Sequence, residues 1–428
     1  LDLLDRLAGV AEASGRNEAF AKALVLVLDA GDVESEVELA LCRRAAELHE
    51  VSLGGPDDAV RFQQRVLDLE PDDAAAFTAL KQVYTNNEHW DELRKLYRGR
   101  IDATTDASAR LDLLLQLCFL FEEILDEPEH AISSYEQALE LDPTHTPSRR
   151  ALQRLYGRLE RWPELADLLR RDLDEADGQE AIDLAYELGT IYETRLSRAV
   201  DAVDHYELVL ESSATHLRAQ EGLERLMVNP EERQRIASIL YPIFESQGAW
   251  SELSKVMEVQ LEDLSDAASR AAHLVQIGEL SETRLRDDEL AFDAFARAVR
   301  EDAADGGARS DLARLASKLS RHRQRAELLE AGLSTVADDF VKTELLLELA
   351  ELWDVAEPEP EQAARIYTRL IEFEKDNPEI VLKASRSLER IHAEAGDHAA
   401  LARDLRRQLQ FEEDQERRDG LFPVSYTH

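Results

Sequence analysis

The chain has 428 residues, 44% hydrophobic and 33% charged, with 90 Asp and Glu against 50 Lys and Arg and a net charge of −40. This apolar content is too high for a disordered chain, while the longest apolar runs, such as residues 23–28, fall far short of the roughly 20 apolar residues that cross a bilayer. The acidic balance argues against nucleic acid as a partner, because phosphates are repelled and the Arg clusters at 43–44, 170–171 and 321–325 are short and scattered.

Read in chain order, the sequence falls into units of about 72 residues, each two helical hairpins long: 1–71, 72–143, 144–214, 215–303, 304–378 and a partial unit at 379–411. A small anchor residue opens the pattern at Ala46, Cys118, Gly189, Gly278 and Ala350, in steps of 72, 71, 89 and 72. Thirteen residues after each anchor stands Ala59, Ala131, Ala202, Ala291 or Ala363, and seventeen after it Gln63, Tyr135, Tyr206, Phe295 or Tyr367. Helices approach to about 8–10 Å only where one offers little bulk, so small residue, Ala and ring are the expected core of a pair of antiparallel helices. Pro71 and Pro143 then stop the second helix.

A second kind of hairpin alternates with the first. In residues 79–97 and 151–169, Trp90 and Trp162 follow Leu80 and Leu152 by ten and are expected to open a helix after a polar turn; Trp250 repeats the second half, and Gln324 and His398 stand at the corresponding places later on. The step of 89 carries about 17 extra residues, 229–245, expected to form one additional helix near 231–246 opened by Asn229 and Pro230. The final VSYTH matches one reading frame of a transposon end used in library preparation, so 421–428 is expected to be a disordered, artefactual tail on a fragment of a longer bacterial protein. The chain starts at Leu1, without Met and without the basic, apolar and small-residue order of a signal peptide, so the N-terminus is expected to be truncated and any signal lost with it; the compartment is left open, with a cytoplasmic location favoured.

Residues 188–214, with Leu188, Gly189, Tyr192, Ala202, Tyr206 and Val209, and residues 117–143, with Ala131, Tyr135, Ala138 and Pro143, resemble tetratricopeptide repeats, while the Trp hairpins depart from that pattern. The resemblance implies an all-α, right-handed solenoid of about eleven hairpins that binds other proteins or peptides without catalysing a reaction. It also implies that the first helix of each hairpin lines the ligand groove. Four residues after the anchors stand Glu50, Glu122, Glu193, Glu282 and Asp354, and two before them Arg44, Gln116, Glu187, Gln276 and Glu348. These ten positions are the candidate groove, and the five carboxylates read as a ladder that favours Lys- or Arg-rich peptides.

No nucleophile elbow, phosphate-binding loop, dinucleotide fingerprint or zinc-protease motif is present, and the glycine pairs at 54–55 and 306–307 mark turns. Cys42 and Cys118 lie 76 residues apart with no CxxC spacing, and His392 and His398 straddle a turn, so neither pair is assigned a metal or redox role. No cofactor is expected. The other reading the sequence allows is a docking or regulatory region of a larger enzyme or transcription regulator whose catalytic domain lies outside this chain.

Overall fold

The structure, a computed structural model, describes residues 2–31 and 33–411, so the tail expected at 421–428 lies outside the described residues. The described elements are helices throughout, and the chain divides into two compact units, Leu1–Leu184 and Ala185–His428.

The first unit holds α1 (Asp2–Ala13), α2 (Asn17–Ala30), α3 (Ser35–Leu48), α4 (Pro56–Leu69), α5 (Ala74–Asn86), α6 (Trp90–Ala103), α7 (Ala107–Phe119), α8 (Pro128–Leu141), α9 (Thr146–Arg158) and α10 (Trp162–Glu175). Helix α11 (Gly178–Thr194) carries the division. The second unit continues with α12 (Ala199–Ser212), α13 (Leu217–Leu226), α14 (Arg233–Gln247), α15 (Trp250–Leu261), α16 (Ala267–Leu280), α17 (Asp288–Glu301), α18 (Gly306–Leu319), α19 (His322–Thr335), α20 (Asp339–Glu351), α21 (Pro360–Phe373), α22 (Pro378–Ala395) and α23 (His398–Phe411). Successive helices pair as hairpins, α3 with α4, α7 with α8 and α16 with α17 among the tightest.

Local chemistry sets the ends. Asp73, Asp106 and Asp266 each accept a hydrogen bond at 2.8 Å from the backbone N–H three residues on, satisfying a donor that the first turn leaves open. Prolines stand in the first turn of α4, α8, α10, α21 and α22, where their missing N–H costs nothing. The second helices of the Trp hairpins share one device: Glu88, Glu160, Gly248, Ser320 and Gly396 all take positive φ, and the helix opens two residues later at Trp90, Trp162, Trp250, His322 and His398. This register corrects one expectation, since the Trp-equivalent position in the later copy is His322 and not Gln324.

The core follows the anchors. Ala59, Ala131, Ala202, Ala291 and Ala363 are at most 1% exposed. A Cβ on Gly189 would lie 2.7 Å from the Tyr206 ring, and one on Gly278 would lie 2.8 Å from the Phe295 ring. Tyr206 is also bounded on its other side by Gly222 of α13, where a Cβ would stand 2.6 Å away. The ring therefore fills the hollow between one hairpin and the next helix. Buried Cys118 takes the glycine's place in the second copy, and burial pushes its thiol pKa up to about 12. It is a packing residue, far from a reactive thiolate.

Four of the five anchor helices end in a π-helical turn, at His49–Leu53, Leu120–Ile124, Ser281–Leu285 and Leu352–Ala356. In the remaining copy the Leu196 N–H reaches the Ile191 carbonyl, the same five-residue step. Glu50, Glu122, Glu282 and Asp354, the acids four after the anchors, all stand in these wider turns.

Three helices, not two, stand between α12 and α16. Both α13 and α14 begin like a first helix: Gln220 donates to the carbonyl of Ala214 at 2.6 Å and Arg233 to that of Met227 at 2.9 Å, as Arg149 of α9 does to Pro143 at 2.8 Å. Helix α13 meets the hairpin before it through Gly222, and α14 meets α15 through Arg233–Glu262 at 2.9 Å and Gln234 to the Val259 carbonyl at 2.8 Å. In the other units a single helix does both jobs. Asn229 and Pro230 form a turn ahead of α14 and do not open it; the Asn229 carbonyl accepts from the Arg233 N–H at 3.0 Å, where the helix starts.

Candidate protein-interaction surfaces

The five ladder carboxylates come from equivalent turns, and four of them accept a hydrogen bond from within their own hairpin. The hydroxyl of the ring thirteen residues on donates to three of them: Tyr135 to Glu122 and Tyr367 to Asp354 at 3.2 Å, Tyr206 to Glu193 at 2.6 Å. Glu50 instead receives the Gln63 amide at 2.6 Å, and Phe295 has no hydroxyl to offer Glu282. An arginine from the first helix of the next hairpin closes four of the five rungs. Arg225 donates to Glu193 from Nε at 2.7 Å and Nη2 at 2.9 Å, Arg314 forks onto Glu282 with one arm at 2.8 Å, and Arg154 and Arg390 reach Glu122 and Asp354.

The electrostatics follow from these contacts. Burial raises the pKa of Glu193, but the bonds from Arg225 and Tyr206 outweigh it and hold the carboxyl below its ordinary range. The Arg314 fork holds Glu282 below its range in the same way. Burial, then Glu193, raises the pKa of the Tyr206 hydroxyl, which stays a donor. The four arginine-closed rungs thus each tie one hairpin to the next. Sequence reasoning found the acids and missed the bases, although Arg154, Arg225 and Arg314 all stand 36 residues after an anchor and Arg390 stands 40 after the last.

The positions two before the anchors are more varied. Gln116 and Gln276 are exposed, as is Glu187, whose pKa desolvation by the surrounding protein raises. Arg44 is paired with Glu47 at 2.5 Å, and Glu348 accepts from Arg309 at 2.9 Å and Arg325 at 2.6 Å.

Clefts between second helices recur. In the first unit α4 and α6 part over a floor made by α5, with Leu67, Pro71, Leu80, Tyr84 and Leu96 lining about 560 Å³. Seventy-two residues on, Leu139, Pro143, Leu152, Tyr156 and Leu168 line an equivalent cleft of about 540 Å³ between α8 and α10. The rims differ: Asp68, Glu92, Lys95 and Arg100 in one, Glu140, Glu164, Asp167 and Arg171 in the other. The second unit shows why these clefts are open. There α17 and α19 pack directly, because Gly332 faces Ala303, where a glycine Cβ would come within 2.5 Å of the alanine's. The matching pairs in the first unit are Pro71 with Arg100, whose Nη1 donates to the Pro71 carbonyl at 3.2 Å, and Pro143 with Asp172. Neither pair permits so close an approach.

Among the described residues no three His, Cys, Asp or Glu side chains gather as metal ligands, and no helix is long and apolar enough to cross a membrane.

Antiparallel hairpins of about 36 residues with small–ring packing define a tetratricopeptide-like helical repeat protein. Solved structures that the chain matches include Naa15/Naa10 bound to HypK, at 14% identity and TM-score 0.32 over 100% of this chain and 66% of that one, so the chain spans just under two thirds of its length. YrrB, described as a TPR protein with an unusual peptide-binding site, is 17% identical with TM-score 0.23 over 48% of this chain and 99% of that one. Yeast Tom70 is 10% identical with TM-score 0.24 over 92% and 96%. No family profile matches the chain, and no characterised protein matches it by sequence.

Proposed function

We propose that the chain is a non-catalytic scaffold that holds peptides or helices of other proteins and favours Lys- or Arg-rich ones. The observation that carries this reading is recurrence: the cleft between α4, α5 and α6 returns 72 residues later with its apolar floor kept and its charged rim changed. A constant floor with a variable rim suits a surface that takes polypeptide side chains of similar bulk and sorts them by charge.

The attraction for a basic partner comes from the net charge of −40 and from exposed groups such as Glu187 on the first-helix face, beside Gln116 and Gln276. The ladder contributes less than its five carboxylates suggest, since four already hold an arginine. The test is anisotropy of a labelled Lys/Arg-rich peptide and its Glu-rich counterpart on the whole chain, across about 0.05–0.5 M salt. Tighter binding of the basic peptide that weakens with salt is expected. Equal and salt-insensitive binding of both would remove the reading.

A further inference from the structure

One copy of the repeat breaks its own rule on the first-helix face. The residue after each anchor is Glu47, Phe119, Thr190, Glu279 or Glu351, so four copies place a polar group where the second has a ring. Phe119 is 60% exposed. Six residues after the anchors stand Ser52, Ile124, Arg195, Arg284 and Ala356, and again the second copy alone has a large apolar side chain, with Ile124 45% exposed. Four copies form the same hairpin without either group, so packing of the repeat does not require them. Solvated rings cost solubility and mark interaction sites when they gather.

Here they gather. Phe119 and Ile124 line an open cleft of about 450 Å³ with Trp90, Tyr97, Leu115 and Leu120, all within the first unit. Its polar groups are turned on one another: Gln116 Oε1 accepts from Lys81 Nζ at 2.7 Å and from the Tyr97 hydroxyl at 3.1 Å. What remains is apolar wall. Exposed Glu88 stands two residues before Trp90 and exposed Glu123 immediately before Ile124, so chain connectivity keeps a carboxylate near two of the lining residues.

Resting on the scaffold reading above, we propose that this cleft is the anchoring subsite: it takes one large apolar side chain, Leu, Met or Phe, from a partner segment carrying Lys or Arg on either side of it. The apolar residue supplies affinity by leaving water, and the flanking cations meet Glu88 and Glu123.

The experiment uses the whole chain and a labelled 12-residue peptide with a central Phe flanked by Lys, beside two controls, Phe replaced by Ala and Lys replaced by Glu. The chain is compared with Phe119→Thr and Ile124→Ser, which install the residues other copies carry at those positions and so preserve the fold, as circular dichroism verifies. The Phe peptide should bind about 10- to 100-fold more tightly than its Ala control, the span expected for burying one such side chain. Both variants should erase that difference while keeping the weak, salt-dependent binding of the basic control. If the Phe and Ala peptides bind alike to the unaltered chain, or if the variants keep the difference, the subsite is wrong although the scaffold reading stands. If no peptide of any kind binds, both fall. Concentration-dependent self-association by sedimentation, lost in Phe119→Thr, would place a second copy in the cleft and overturn the peptide as occupant.

Discussion

Tyr206 is clamped between two glycines, and adding one methyl group at Gly189 should reveal how tightly. In an α-helix, Gly→Ala ordinarily stabilises by about 1 kcal/mol, because alanine loses less backbone entropy on folding. At Gly189 the new Cβ would stand 2.7 and 2.8 Å from two carbons of the Tyr206 ring. The ring cannot retreat: it is fully buried, bounded by Gly222 on the far side and tied through its hydroxyl to Glu193 at 2.6 Å. Overpacking of this kind costs about 1–3 kcal/mol, so the net effect is a loss of up to about 2 kcal/mol. Gly99 is the control, since it is an exposed glycine inside α6 with nothing within 4 Å of its missing Cβ, and Gly99→Ala should stabilise by about 0.5–1 kcal/mol. The two variants should therefore differ by about 1–3 kcal/mol in urea unfolding. Repeat arrays can unfold in stages, so amide exchange across α11, α12 and α13 gives the local reading. The double variant Gly189→Ala with Tyr206→Leu should show a favourable coupling, because the smaller side chain releases the clash. Gly189→Ala proving as stabilising as Gly99→Ala would refute the close-approach argument.

Two further outcomes follow from the rungs. The carboxyls of Glu193 and Glu282 have lowered pKa values when folded, so their contribution is complete above about pH 4.5 and is lost as pH falls through the depressed folded values; Arg225→Gln should flatten that part of a stability-against-pH curve measured from about pH 2 to 6. In the first copy Gln82 stands 36 residues after Ala46, where the next three copies carry the rung arginine, so Gln82→Arg should close the Glu50 rung and raise the urea midpoint by the equivalent of up to about 1 kcal/mol, whereas Gln82→Glu should lower it.

The hairpins were legible because packing writes a periodic signal: a helix pair that must approach closely needs its small residue, its Ala and its ring at fixed offsets, and Gly189, Ala202 and Tyr206 supply them at once. The Trp helices were legible for the same reason as far as Trp250. They slipped at Gln324, because what defines their start is a backbone conformation, positive φ two residues earlier, which Glu, Gly and Ser all adopt in different copies. The candidate groove was half legible. Five acids at one offset are conspicuous, yet a carboxylate's role depends on what faces it, and the facing arginines come from the next hairpin, about 32 residues away in sequence. Alignment by offset joins positions within one repeat and is blind to pairs that bridge two. The same logic explains the apolar cleft. Averaging over copies erases Phe119 and Ile124, since a repeat rule records what packing demands of every copy, and a binding residue is the one that packing does not demand. In an array of this kind the architecture is read from the agreements between copies, and function is to be sought in the exposed residues where one copy disagrees with the rest.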